Sequence, residues 1–165
     1  MAEAFGLAAS ILGVAELGLS VTQSLYRFTV SYRDADRRVE EIEGRVSVTA
    51  TILKELHSTV KSNEQYFKRN PTGALEAPVS SCRRDYKRLK DAVDEAKGQP
   101  KGGAASTLGK KMAKMSAWEK LKWALGGDES MDQLLTSLKS SKEDLGILID
   151  LLNYRLLIKA ESRKG

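Results

Sequence analysis

One thiol, Cys82, and one imidazole, His57, are the only groups of their kind in the 165 residues. A structural zinc site draws four ligands mostly from Cys and His, and a lone thiol forms no internal disulfide. His57 follows Leu56 on a charged segment and reads as a surface histidine. Cys82 keeps step with Val79, Tyr86 and Leu89, a register in which a free thiol serves as a small hydrophobe. The acidic pairs Glu40/Glu41 and Asp94/Glu95 sit on the polar faces of amphipathic segments. They read as solvated charge rather than as a general acid and base. The last candidate is a phosphate-cradling loop at Gly103 to Lys111. Five residues separate Gly103 from Gly109 where such a loop has four, Lys111 stands where Ser or Thr is needed, and no strand precedes it. The expectation is a domain without catalysis, cofactor or metal.

Charge offers a different chemistry. The chain has 27 Lys and Arg against 22 Asp and Glu, a net +5. Residues 83–123 alone hold twelve basic against five acidic side chains, so the rest is close to neutral. Three readings of this stretch compete. It can be a solvated face; it can neutralise nucleic-acid phosphate with clustered Lys and Arg; or it can meet an anionic membrane, each basic residue contributing about 1 kcal/mol. No motif for reading bases accompanies it, and Trp118 and Trp123 are spaced for packing rather than stacking. Lysines mixed with Met112, Met115, Trp118 and Trp123 suit a membrane interface, where indole rings sit at headgroup depth. The candidate headgroup contacts are Arg83, Arg84, Lys87, Lys110, Lys111, Lys114, Trp118, Lys120 and Lys122. No nucleic-acid partner is expected.

The elements that must position these groups are helices. Residues 1–32 carry only Glu3, Glu16 and Arg27 as charges. Leu7, Ile11, Val14, Gly18, Val21, Leu25, Phe28 and Tyr32 form one seam at three- and four-residue steps, and Phe5, Leu12, Leu19 and Tyr26 a second at sevens. Gly6, Ala9, Ser10, Gly13, Ser20 and Ser24 make up the small remaining face. A helix so widely apolar is buried centrally or kept for a membrane. It has no signal-peptide n-region, and its uncharged runs, Ala4 to Ala15 and Leu17 to Tyr26, are each too short to span a bilayer unaided.

An amphipathic helix is predicted from about Asp36 to Lys68, broken by Asn70-Pro71-Thr72-Gly73, and a third follows Pro78 up to the loop at Gly98. A short helix from about Ser106 to Leu125, in two pieces, carries Trp118, Leu121 and Leu125. Asp128 or Ser130 is placed to cap the last helix, Ser130 and Gln133 having capping-box spacing. That helix buries Met131, Leu135, Leu138, Leu145, Ile149, Leu152 and Leu156, with Lys142 on the same stripe. No segment alternates with period two. The fold class is all-α, a helical bundle of four long helices plus a short Trp-containing helix, in one domain over residues 1–160, with 161–165 a tail or the start of a linker.

The opening Met1-Ala-Glu-Ala-Phe-Gly-Leu-Ala-Ala-Ser-Ile-Leu-Gly-Val-Ala-Glu-Leu-Gly18 resembles the start of fungal HeLo and HeLo-like domains. Trp118-Glu-Lys-Leu-Lys-Trp-Ala-Leu125, followed by Leu134, Leu135, Leu138, Lys142, Leu145 and Leu148, is similar to that group's tryptophan helix and long final helix. The resemblance implies a cell-death effector bundle. In that family a receptor of the NLR type, or an amyloid template, clusters the domains, and the N-terminal helix enters the plasma membrane and makes it leaky. Carried onto this chain, the insertion segment is Phe5, Leu7, Ile11, Leu12, Val14, Leu17, Leu19 and Val21, with Glu16 in its middle. The implied partners are anionic membrane lipids, further copies of the chain on activation, and an amyloid-motif or NLR-type partner in cis or trans. The implied location is cytoplasmic, moving to the plasma membrane. The alternative is a helical adaptor that recruits other proteins without touching lipid.

Overall fold

A computed structural model describes residues 2–31, 37–69, 73–98 and 115–165, with side chains from Gly6 onward. Among the described residues every regular element is helical: α1 (Ala2–Val30), α2 (Arg37–Ser62), α3 (Glu64–Arg69), a single 3-10 turn (Gly73–Leu75), α4 (Glu76–Ala96), α5 (Ala117–Leu125) and α6 (Asp128–Ser162). This is the all-α bundle that the periodicity predicts, with α3 added.

Helix α1 lies against α2 and α4, and α6 lies against the same two helices, so the four long helices close a ring in the order α1–α2–α6–α4. Side-chain contacts give the directions. His57 near the end of α2 meets the Ala8 carbonyl near the start of α1, so those two are antiparallel. Ser137 of α6 bonds Asp85 of α4 while Ser141 bonds Ser81, so that pair is antiparallel as well. Ile11, Val21, Leu25 and Phe28 of α1 fill the centre with Val46, Leu53 and Leu56 of α2, Tyr86 and Leu89 of α4, and Leu134 and Leu145 of α6.

Three local departures from the predicted elements have physical causes. The second helix does not run to Lys68. It bends at Asn63, whose N–H donates to Val60 O at 3.2 Å and whose side-chain amide donates to Thr59 O at 2.9 Å. The bend lets α3 turn Phe67 inward, and burying that ring contributes about 1.5–3 kcal/mol, more than a lost helical hydrogen bond. Helix α4 begins two residues before Pro78, whose missing N–H costs nothing in the first turn. On α6 the buried stripe runs through Leu134, Leu138, Ser141 and Leu145, and Lys142, predicted on that stripe, is exposed. Ser141 takes the inward place because its hydroxyl is small and bonded, donating to Ser81 Oγ at 3.2 Å.

Helix α5 is framed by its own sequence. The Glu119 N–H donates to Ser116 Oγ at 3.2 Å, an N-cap. At the other end Gly126, with φ +102°, donates to Trp123 O while Gly127 donates to Lys122 O at 2.9 Å, a Schellman close that needs a left-handed residue. Asp128 is therefore already the first residue of α6, and neither it nor Ser130 caps by side chain. Asp128 instead pairs with Lys122 at 2.7 Å and faces the positive end of the α6 dipole. Residues 106–114, predicted as the first piece of this helix, lie outside the described residues.

Candidate functional site

Helix α1 is the candidate, and its three faces have three different surroundings. The first seam is the one that the bundle buries. Ile11, Val21, Leu25 and Phe28 have no exposed surface, Val14 has 2%, and Leu7 packs at the edge. Gly18 belongs to this seam by necessity: a Cβ there would stand 3.0 Å from both Ala50 Cβ and Tyr86 Cε2. Thr29, also buried, satisfies its hydroxyl by donating to Leu25 O at 2.9 Å. Near the start of the helix, His57 Nδ1 lies 3.0 Å from Ala8 O. The histidine expected at the surface is thus half-buried, joining α2 to the second turn of α1.

The second seam is not taken into the core. Leu12 and Leu19 are half-buried, Tyr26 is 59% exposed, and Val30 continues the same outward surface at 66%, while Leu17, off this seam, packs half-buried against the core. Phe5, predicted on this seam, has its side chain outside the described residues. Glu16 is exposed.

The third face, small and weakly polar, is open. Gly6, Ala9, Ser10 and Gly13 are exposed, and a Cβ on Gly6 or Gly13 would meet nothing within 4 Å. An interior helix glycine costs about 1 kcal/mol relative to alanine, and packing within this domain recovers none of it at these two positions. Because α1 is a single helix through Glu16, Gly6–Val30 is long and apolar enough to cross a membrane, although each uncharged run alone is too short. Only 33% of its most apolar window is buried.

The predicted basic surface is brought together only in part. Arg83, Arg84 and Lys87 are exposed on α4. The Arg84 guanidinium lies 3.7 Å from Asp85 Oδ1 and donates to Ser81 Oγ at 3.4 Å. Lys122 is engaged by Asp128. Trp118 and Lys120 are buried, with the Arg38 guanidinium 4.6 Å from the Trp118 ring centroid, so neither faces an interface in this conformation. The physical reason is the position of α5, which sits against α4, α6 and α2 and spends its tryptophan on the bundle. Trp123 is the ring left outward, at 41% exposure. Lys110, Lys111 and Lys114 lie outside the described residues.

Between α4 and α6 lies a buried polar cluster that the sequence reading missed. Asp85, 1% exposed, accepts from Ser137 Oγ at 2.5 Å, and Ser81 and Ser141 complete the chain of hydroxyls. Its signal was present: Asp85 stands within the core register of Cys82, Tyr86 and Leu89. Burial pushes the Cys82 thiol up to about 11, which keeps it protonated and unreactive near neutral pH. Burial likewise raises the Tyr86 phenol. Among the described residues no three His, Cys, Asp or Glu side chains gather as a metal would require.

The family model described as "Pigment biosynthesis cluster protein PigL N-terminal" matches residues 2–159. No curated protein and no solved structure matches the chain.

Proposed function

The chain belongs to the PigL N-terminal family, a HeLo-like helical domain, and on that premise we propose that it is a regulated membrane-permeabilising effector. Its work is mechanical, the transfer of α1 from the bundle into lipid, and no catalytic step is assigned to it. One observation carries the reading. A helix long and apolar enough to span a bilayer is held on one seam only, with a second apolar seam and an unpacked small-residue face turned outward.

The energetics support a trigger. Freeing α1 into water exposes Ile11, Val14, Val21, Leu25 and Phe28, at about 1.5–3 kcal/mol each. Burial in lipid offsets this cost, which is on the order of 10 kcal/mol. Glu16 then sits near mid-bilayer, where an acidic residue costs about 2.5–3.5 kcal/mol on insertion scales. Several copies placed side by side keep Glu16 around a wet pore, and Gly6-x-x-x-Ser10 and Ala9-x-x-x-Gly13 let their backbones approach closely. On this reading the domain is cytoplasmic and relocates to the plasma membrane when an amyloid-motif or NLR-type partner clusters it. Arg83, Arg84 and Lys87 supply the first contact with anionic headgroups.

The test is dye release from vesicles containing anionic lipid, at rising protein density and under forced clustering. Leakage is expected, and Leu12→Asp or Leu19→Asp should abolish it while circular dichroism shows an intact bundle. No leakage at any density, clustered or not, sinks the reading.

A further inference from the structure

The last helix carries a second apolar stripe that the bundle does not use. Ile147, Leu151, Tyr154 and Ile158 are 66%, 43%, 62% and 46% exposed, while Leu145 and Leu152 point into the core. Nearer the start of α6 the same face is polar: Thr136, Ser140 and Asp144 line an open cleft against α4. The stripe's steps of four, three and four are those of the a and d positions in a two-helix seam. Asp150 and Arg155 border it on opposite sides, both exposed and neither in an ion pair among the described residues.

We propose that this stripe packs against the same stripe of a second copy of the chain, as a short parallel two-helix seam. In a parallel pair, the residue just before an a position faces the residue five further along on the partner helix. With Leu151 at a, that residue is Asp150 and the one it faces is Arg155. Two-fold symmetry makes the pair twice, flanking layers in which Leu151 meets Leu151 and Tyr154 meets Tyr154. An antiparallel pair stacking the same four residues would set Asp150 beside Leu157 and Arg155 beside Leu148, with no ion pair formed. Charge therefore selects both the occupant and its direction. Four residues per chain make a small interface, so the dimer is weak and concentration-dependent. The seam needs no lipid, and its fate is separate from that of the membrane reading.

Sedimentation of the full chain without lipid, from about 10 µM to 1 mM, tests it. A monomer–dimer equilibrium is expected, weakened at least tenfold by Leu151→Lys, with the melting curve nearly unchanged at concentrations where both chains are monomeric. Asp150→Arg alone and Arg155→Asp alone should each weaken it, and an equimolar mixture of the two should restore it, because the mixed pair regains both ion pairs. Leu151→Cys should cross-link to itself under mild oxidation, Cys82 being buried. A chain that stays monomeric throughout, a dimer indifferent to Leu151→Lys, or a mixture that fails to re-associate overturns the proposal.

Discussion

Helices α1 and α6 stand at opposite corners of the ring, and each has more apolar surface than the bundle covers. On α1 the surplus is Leu12, Leu19, Tyr26 and Val30, bordered by glycine, alanine and serine, with Glu16 near its middle and Arg27 in the last turn. On α6 it is Ile147, Leu151, Tyr154 and Ile158, bordered by Asp150 and Arg155. The inward stripes of the two helices do the same work, so the flanks make the difference. Asp150 and Arg155 both stand in the middle of their stripe, so carrying them into hydrocarbon would cost about 2.5–3.5 kcal/mol each. On α1, by contrast, Arg27 lies in the last turn, within reach of the headgroups, and leaves Glu16 as the one charge to bury. The small residues Gly6, Ala9, Ser10 and Gly13 specify no charge register but let helix backbones approach closely in a bilayer. On the proposed function, the two surplus faces would meet two different media.

The comparison can be broken first at the core. Leu25→Ala on α1 and Leu145→Ala on α6 should each cost about 2–5 kcal/mol in urea unfolding. A much smaller loss on α1 would mean that its inward seam is not held as the structure shows. The glycines give the next effect, with opposite signs. Gly18→Val, wedged between Ala50 and Tyr86, should destabilise by about 1–3 kcal/mol. Gly13→Ala and Gly146→Ala, both in open space, should stabilise by up to about 1 kcal/mol; thermal melts read all three. The smallest stability effect sharpens the contrast most. Leu19→Lys and Leu151→Lys should each shift unfolding by no more than about 1 kcal/mol. The first should leave sedimentation unaltered, and the second should leave flotation with anionic vesicles unaltered. Either substitution removing both properties would make the two faces one surface.

Much of this was readable in advance, because helical period is a local property of the chain. Leu7, Ile11, Val14, Gly18, Val21, Leu25 and Phe28 are spaced for one face, and that face is the buried one. The caps of α5 are equally local, Ser116 before the helix and Gly126-Gly127 after it. What escaped the reading depends on distant neighbours. Nothing near Trp118 announces that Arg38, eighty residues earlier, covers its ring. Nothing near His57 announces the Ala8 carbonyl. Ser141 rather than Lys142 faces inward because Ser81 of α4 accepts a hydrogen bond from its hydroxyl.

Order along the chain settles the helices, the two apolar seams on α1, the clustering of positive charge in 83–123 and the presence of a single Cys and a single His. Which seam is hidden is a matter of assembly. A helix in a ring of four turns only one arc toward the centre, so of two apolar arcs on α1 one must stay outside. The contact of Gly18 with Ala50 and Tyr86 selects Leu12, Leu19 and Tyr26 as the arc left over. On α6 the same geometry leaves the stripe Ile147, Leu151, Tyr154 and Ile158 uncovered, for the inward arc is already filled by Leu145 and Leu152.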